Sequence, residues 1–281
     1  MQVIRNINAL KEVIRRFKSG GKTVGFVPTM GALHQGHLSL MRQSRKDTDL
    51  TVVSIFVNPM QFGPAEDYKK YPRTLAGDIK MMRAAGVDIV FAPAVNRIYP
   101  GGFQFCVDIG NLGGMLCGRS RPGHFKGVLT VVNKLFNIVE PDIAYFGQKD
   151  YQQALIIRRM VRDLDMNLRI KVMPIVREED GLAMSSRNRY LSADQRRQAT
   201  CLYRALNEAK RQVRSGQVSA ARIIGAMKKI INLSDESRID YIAIVEPETL
   251  LDIKTVKPGQ KALAALAVFI GRTRLIDNMF I

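Results

Sequence analysis

Cysteine and histidine are scarce in this chain of 281 residues, with three of each. Cys106, Cys117 and Cys201 form an odd set without a Cys-x-x-Cys spacing, which argues against a disulfide framework and a zinc knuckle and leaves ordinary reduced thiols. Long hydrophobic runs are missing as well. The longest, Ala262–Ile270, is too short to cross a bilayer and follows directly on Lys261, so no transmembrane helix is expected. The opening residues Met1–Asn6 lack the apolar stretch and cleavage site of a secretory signal, and a cytoplasmic location is the expectation. Acidic residues are few, 25 against 43 Lys and Arg, for a net charge of +18. So basic a balance raises nucleic acid or another polyanion as a partner. The charge is spread, however: residues 1–180 carry 26 basic against 16 acidic side chains and residues 181–281 carry 17 against 9. The densest stretches, Arg196-Arg197 and Lys210-Arg211 with Arg214, read as the solvated face of a helix, and no specific nucleic acid is expected.

What is present is a globular composition, 46 % hydrophobic, long enough for one large or two modest domains. Strand-like runs at 23–28, 51–57, 88–92, 142–146 and 169–176 alternate with helical periodicity near 7–18, 37–47, 75–86, 127–139 and 150–165. Repeated strand-helix-strand units imply an α/β fold, a doubly wound parallel sheet with ligands at the carboxyl ends of its strands. Beyond Val176 the pattern becomes helices near 193–214 and 219–232, then strands at 239–245, 262–270 and 273–277. Residues 1–177 are therefore expected to form a nucleotide-binding domain and residues 178–281 a smaller C-terminal α+β domain.

The polar motifs cluster where those strands end. His34-Gln35-Gly36-His37 follows an apolar strand and the turn Thr29–Leu33, and a helix is expected to begin there. The N–H groups and partial positive charge of a helix N-terminus favour an anion, so both imidazoles would face phosphate, and Gly36 would let a nucleotide approach the backbone. Two other readings stand beside this one: simple helix capping, and a zinc site, for which only His124 remains as a further histidine. Asn58 and Gln61 sit in a loop after the next strand. Amides donate and accept, which suits a small ligand bearing hydroxyl and carboxylate groups, or else satisfies the loop's own backbone.

Gly147-Gln148-Lys149-Asp150 leaves another strand and opens a helix, a phosphate geometry without the further glycines of a Walker loop. Lys149 offers a point charge, Asp150 occupies a capping position, and Gln153 would lie on the same side as Asp150. Met184-Ser185-Ser186-Arg187, in the segment joining the domains, combines two hydroxyls with a guanidinium fork suited to phosphate oxygens, although Ser-Ser-Arg alone is a common surface sequence. The glycine-rich stretch from Gly110 to Gly127 reads as a mobile loop, either a cover for a bound intermediate or a plain connection.

The histidine motif after a strand resembles the signature of the nucleotidylyltransferase superfamily. Pro28–His37, Phe56–Phe62, Ser120–Phe125, Phe146–Asp150 and Met184–Asn188, with Thr273–Asn278 near the end, together resemble the pantothenate synthetase (pantoate–β-alanine ligase) family, in that family's order and over essentially the whole chain. The resemblance implies a Rossmann-like domain with a C-terminal lid. It also implies ATP-dependent condensation of (R)-pantoate with β-alanine through a pantoyl-adenylate, releasing AMP and pyrophosphate, on the way to coenzyme A. Met30, Gly31, Ala32, Leu33, His34, Gln35, Gly36 and His37 would then bind ATP, with His37 as proton donor during adenylation and His34 in support. Gly147, Gln148, Lys149, Asp150, Val176, Met184, Ser185, Ser186 and Arg187 would contact the nucleotide, His34, His37, Lys149 and Arg187 carrying the chemistry. Gln61 and Gln153 would hold pantoate, Gln61 also facing β-alanine, and Asn58 is a further candidate for binding the substrate. Mg2+ would accompany ATP, and a homodimer is implied. Two positions depart from the family pattern: Gln148 replaces a frequent glutamate, and Gly77 precedes Asp78 where acidic residues are commonly paired, so the metal ligands stay unassigned. The rival readings are another nucleotidylyltransferase acting on a cofactor precursor and, from a different class, a basic RNA-binding protein.

Overall fold

Short runs of β-branched and aromatic residues pair in parallel to form the first sheet of the computed structural model, which describes residues 1–64 and 66–281. Its strands are β1 (Gln2–Ile4), β2 (Val24–Thr29), β3 (Leu50–Ile55), β4 (Ile89–Phe91), β5 (Ile143–Gly147) and β6 (Arg169–Met173), in the order β1-β4-β3-β2-β5-β6. β2 and β3 are buried almost throughout, as strands covered on both faces must be. The order reverses between β2 and β5. After β2 the chain builds outward through β3 and β4, then returns to add β5 and β6 on the other side, which makes the carboxyl ends of β2 and β5 the topological switch point.

The connecting helices are α1 (Ile7–Ser19), α2 (Gln35–Asp47), α3 (Leu75–Ala84), α4 (Val95–Ile98), α5 (Cys117–Ser120), α6 (His124–Val139) and α7 (Tyr151–Asp163). α1 is capped by the Asn6 side chain, which accepts from the Ala9 amide, and buries Leu10 and Ile14 on one face. α6 is buried along most of its length. Val27, Leu33, Leu38, Met41, Val53, Met82, Val90 and Tyr145 belong to one apolar cluster that packs α2 and α3 on the sheet.

The described residues form two compact units. One comprises Met1–Gly113, Arg121–Gln148 and Gln152–Pro174; the other comprises Gly114–Ser120, Lys149–Tyr151 and Ile175–Ile281. In the second unit α8 (Ala193–Gln198), α9 (Cys201–Arg214) and α10 (Ala220–Ile231) precede an antiparallel sheet of β7 (Ser237–Val245), β8 (Leu263–Ile270) and β9 (Thr273–Phe280), ordered β7-β8-β9. Its core joins Leu202, Leu206, Ile223, Met227, Leu266 and Val268.

The α/β class and parallel sheet match expectation, with three differences. β1 has no sequence signal of its own, being three residues defined by pairing with β4. The helix expected over 193–214 breaks at Ala199-Thr200, where the Thr200 hydroxyl donates to the Arg197 carbonyl. The glycine-rich stretch holds the turn Asn111–Gly114, the short α5 and the start of α6, and position 127 inside α6 has room only for glycine because a Cβ there would overlap the Met60 carbonyl.

Candidate active site

Three loops leave the same end of the first sheet, because β2, β3 and β5 are parallel neighbours. The β2 loop carries Met30–His37. Gly31 and Ala32 both adopt positive φ, +82° and +51°, a strained turn that needs outside support at the alanine. Asp78 supplies it: 2 % exposed, it accepts from the Ala32 amide at 3.0 Å and the Leu33 amide at 2.9 Å, while the Thr74 hydroxyl reaches both its oxygens at 3.2 Å. Both carboxylate oxygens are thereby used as acceptors. In sequence Asp78 entered only as a doubtful magnesium ligand beside Gly77; the overlooked signal is Thr74, four residues ahead of it at the start of the same helix.

The loop delivers His34 as the N-cap of α2, with Gln35 exposed and Gly36 and His37 in its first turn. The Gly36 amide donates to His34 Nδ1 at 3.2 Å and the His34 amide donates to His37 Nδ1 at 3.3 Å, a capping box built from two imidazoles. The rings lie 4.0 Å apart, tilted by 42°. A nitrogen that accepts from an amide carries no proton, so each neutral ring holds its proton on Nε2.

After β3, Asn58 caps the short 3-10 turn Pro59–Gln61, of which Gln61 is the last residue. Asn58, 1 % exposed, is committed to the fold: its Nδ2 donates to the Gly127 carbonyl at 3.0 Å and to Gln61 Oε1 at 3.1 Å, and its Oδ1 accepts from the Tyr99 hydroxyl at 2.8 Å. Burial pushes the Tyr99 phenol up, which keeps it a donor. Gln61 is half-buried, its Nε2 3.0 Å from Met30 Sδ. Its main-chain carbonyl is clamped by His124, whose Nδ1–H donates to it at 2.8 Å, while His124 Nε2 accepts from Arg121 Nη1 at 3.0 Å. Arg121 in turn forks onto Glu66, at 2.7 Å from Nε and 2.5 Å from Nη2. The third histidine thus orients the amide loop, and its role was not legible because Gln61 and Glu66 lie far in sequence from His124 and its neighbour Arg121.

From β5 the chain passes through Gly147 and Gln148 into the turn Gln148–Asp150. At Gly147 a Cβ would meet no atom within 4 Å. Of the two glutamines that follow in α7, Gln152 is buried and donates to the Leu112 carbonyl at 2.9 Å, and Gln153 is half-buried. In the second unit, Lys149 is half-buried with its ammonium 3.7 Å from the exposed Asp150 carboxylate. There too, Val176 and Met184 face each other across a hairpin closed by the Met184 amide on the Val176 carbonyl at 3.0 Å. Ser185 caps the turn Ser186–Tyr190 by accepting from the Arg187 amide at 3.3 Å; Ser186 is buried and Arg187 half-buried.

Among the described residues no group of three or more His, Cys, Asp or Glu side chains is arranged to hold a metal ion, so the zinc alternative has no ligand set. No helix of the described residues is long and apolar enough to cross a membrane.

The sequence matches the family described as Pantoate-beta-alanine ligase over residues 2–280. A pantothenate synthetase of Caldicellulosiruptor saccharolyticus is 52 % identical over 281 residues, covering 100 % of this chain and 99 % of its own. Among solved structures, a pantothenate synthetase from Thermus thermophilus superposes with a TM-score of 0.94 at 47 % identity, covering 99 % of both chains. The Francisella tularensis pantoate-beta-alanine ligase, solved in complex with beta-gamma ATP and beta-alanine, gives a TM-score of 0.81 at 34 % identity over 99 % of this chain and 97 % of its own. Neither the RNA-binding reading nor a different nucleotidylyltransferase finds support in these matches. With likeness of this strength from end to end, the chain belongs to the pantoate–β-alanine ligase family.

Proposed function

We propose that this chain joins pantoate to β-alanine with ATP, in two half-reactions, and that the residues described above divide the work. In the first, a pantoate carboxylate oxygen attacks the α-phosphorus of ATP; the new P–O bond forms as the bond to the bridging oxygen breaks, and pyrophosphate leaves. In the second, the β-alanine amine attacks the acyl carbon of the pantoyl-adenylate, loses a proton and displaces AMP. Neither step needs a side-chain nucleophile. The protein aligns the reactants and stabilises charge that builds on phosphate oxygens.

The observation that carries these assignments is the imidazole capping box. It fixes two Nε2–H donors at a helix N-terminus beside the switch point, where an anion is favoured before any side chain is counted. His37 is assigned the proton or hydrogen bond given to the departing phosphate oxygen and His34 a supporting contact. Lys149, Ser185, Ser186 and Arg187 supply further phosphate contacts, and Met30–Leu33, Gly147–Asp150, Val176 and Met184 frame the nucleotide. Gln61 and Gln153 are assigned to pantoate, with Asn58 holding Gln61 rather than the substrate.

Magnesium is proposed to arrive on the phosphates of ATP, since Asp78 is occupied by amides and a hydroxyl and the described residues form no donor cluster. A homodimer in the cytoplasm completes the proposal, supported by family likeness; sedimentation of the purified protein tests the dimer. Pantoate-dependent exchange of labelled pyrophosphate into ATP tests the first half-reaction, and β-alanine-dependent release of AMP the second. A folded protein with MgATP that performs no such exchange overturns the assignment.

A further inference from the structure

Burial along β9 breaks the alternation of a strand at one place: Asp277 and Asn278, consecutive and polar, are each 3 % exposed. Buried polar groups are costly unless bonded, so their partners matter. Asp277 receives Arg177 Nη1 at 2.6 Å and Nη2 at 3.0 Å, and its Oδ1 also accepts the Asn278 amide at 2.8 Å. Arg177 has two further contacts, donating to the Gly181 carbonyl at 2.9 Å and stacking over Tyr203 with its guanidinium 4.4 Å from the ring centre. Asn278 Nδ2 donates to the main-chain carbonyl of Lys149 at 3.0 Å. All these residues belong to the second unit.

We propose that Asn278, braced by the Arg177–Asp277 pair, is a positioning residue for Lys149. The carbonyl that Asn278 holds lies in the turn from which the lysine side chain departs, so the amide fixes that turn, and Asp277 fixes the amide's own backbone. The same Arg177 pins the hairpin leading to Ser185 and Arg187, because Arg177 bridges to Ala183 and reaches Gly181 across it. One buried pair thus sets the backbone of both phosphate-contacting segments of this unit. Burial pushes the Asp277 carboxyl up, opposed by the Arg177 guanidinium and, more weakly, by the Lys149 ammonium, which places the lysine's charge within the field of this cluster. Thr273–Asn278 was singled out in sequence without a role, and the proposal gives it one.

The inference rests on the reading of Lys149 as a phosphate contact, and a double-mutant cycle keeps the two apart. Asn278→Ala, Lys149→Ala and the double variant are compared in pyrophosphate exchange, with urea denaturation as the control for folding. Asn278→Ala is expected to lower kcat/KM for ATP by about 10-fold, the scale of one hydrogen bond, with KM for β-alanine in the second half-reaction unchanged. In the Lys149→Ala background the same substitution is expected to have no further effect. Should the alanine variant not fold, near-isosteric Asn278→Leu carries the same test, since an aliphatic side chain cannot donate to the carbonyl. An equal loss with and without Lys149, or full activity in folded Asn278 variants, overturns the inference. Full activity of Lys149→Ala instead overturns the reading of the site itself.

Discussion

His34 and His37 cap one helix end for each other, the His34 amide bonding to His37 Nδ1 at 3.3 Å while His34 Nδ1 takes the Gly36 amide at 3.2 Å. Capping and phosphate binding were rival readings of these residues in sequence, yet the geometry makes them compatible. The Nδ1 atoms serve the helix, and that service leaves the protons on the Nε2 atoms, where a donor to phosphate needs them.

Because the two roles use different ring atoms, they separate by substitution. His34→Asn keeps a good N-cap and His37→Gln keeps the far half of a capping box. Each is expected to alter stability in urea by less than ~1 kcal/mol. For His37→Gln the exchange reaction is expected to fall by ~100-fold, the ~3 kcal/mol typical of a donor to developing charge. Loss of stability in step with loss of rate would reduce the histidines to caps.

Lys149 and Arg187 are expected to answer differently to conservative change. Lys149→Ala removes a point charge and is predicted to cost the exchange step ~3 kcal/mol. Arg187→Lys keeps the charge but not the planar fork, so it is expected to lower the rate as well. Exchange rates near those of the unmodified protein would remove either residue from the site.

Most of the sheet was legible because β2, β3 and β5 are β-branched and aromatic runs with proline or glycine punctuation, and the polar motifs proposed to meet phosphate or pantoate follow them. What was not legible depends on partners far apart in the chain. β1 exists through its pairing with β4, and Asp78 reveals its use only when the strained Ala32 turn lies against it. The commitment of Asn58 to Gly127, Gln61 and Tyr99 is likewise a property of the folded loop. Local chemistry told which groups are candidates to meet a ligand; it did not tell which of them hold the others in place.

Asp78→Asn tests that division. An amide has one acceptor oxygen where the carboxylate has two, so the Ala32 or the Leu33 amide loses its partner in a buried site, at a cost of ~1–3 kcal/mol in stability. KM for ATP is expected to rise with it, since the loop carries Met30–His37. The magnesium concentration for half-maximal activity at saturating ATP is expected to stay the same. A large shift in that concentration would make Asp78 a metal ligand instead.

Acid stability should report on Asp47, which ends α2 and ties it to two strands of the first sheet through Tyr145 at 3.0 Å and Lys171 at 2.7 Å. Its carboxyl is held below the ordinary value chiefly by the Lys171 hydrogen bond, against the opposing effect of burial, with Tyr145 and Gln43 adding to the depression. A carboxyl lower in the folded than in the unfolded chain binds fewer protons when folded. Its contribution is therefore fully present above the unfolded value of about 3.9 and is lost as pH falls through the folded one. Asp47→Asn is expected to lower stability at neutral pH and to flatten the acid limb below pH ~4, where the native chain falls towards it. Urea midpoints from neutral pH down to pH ~2.5 measure both. Parallel curves for the two proteins across that range would mean that Asp47 contributes nothing that titrates.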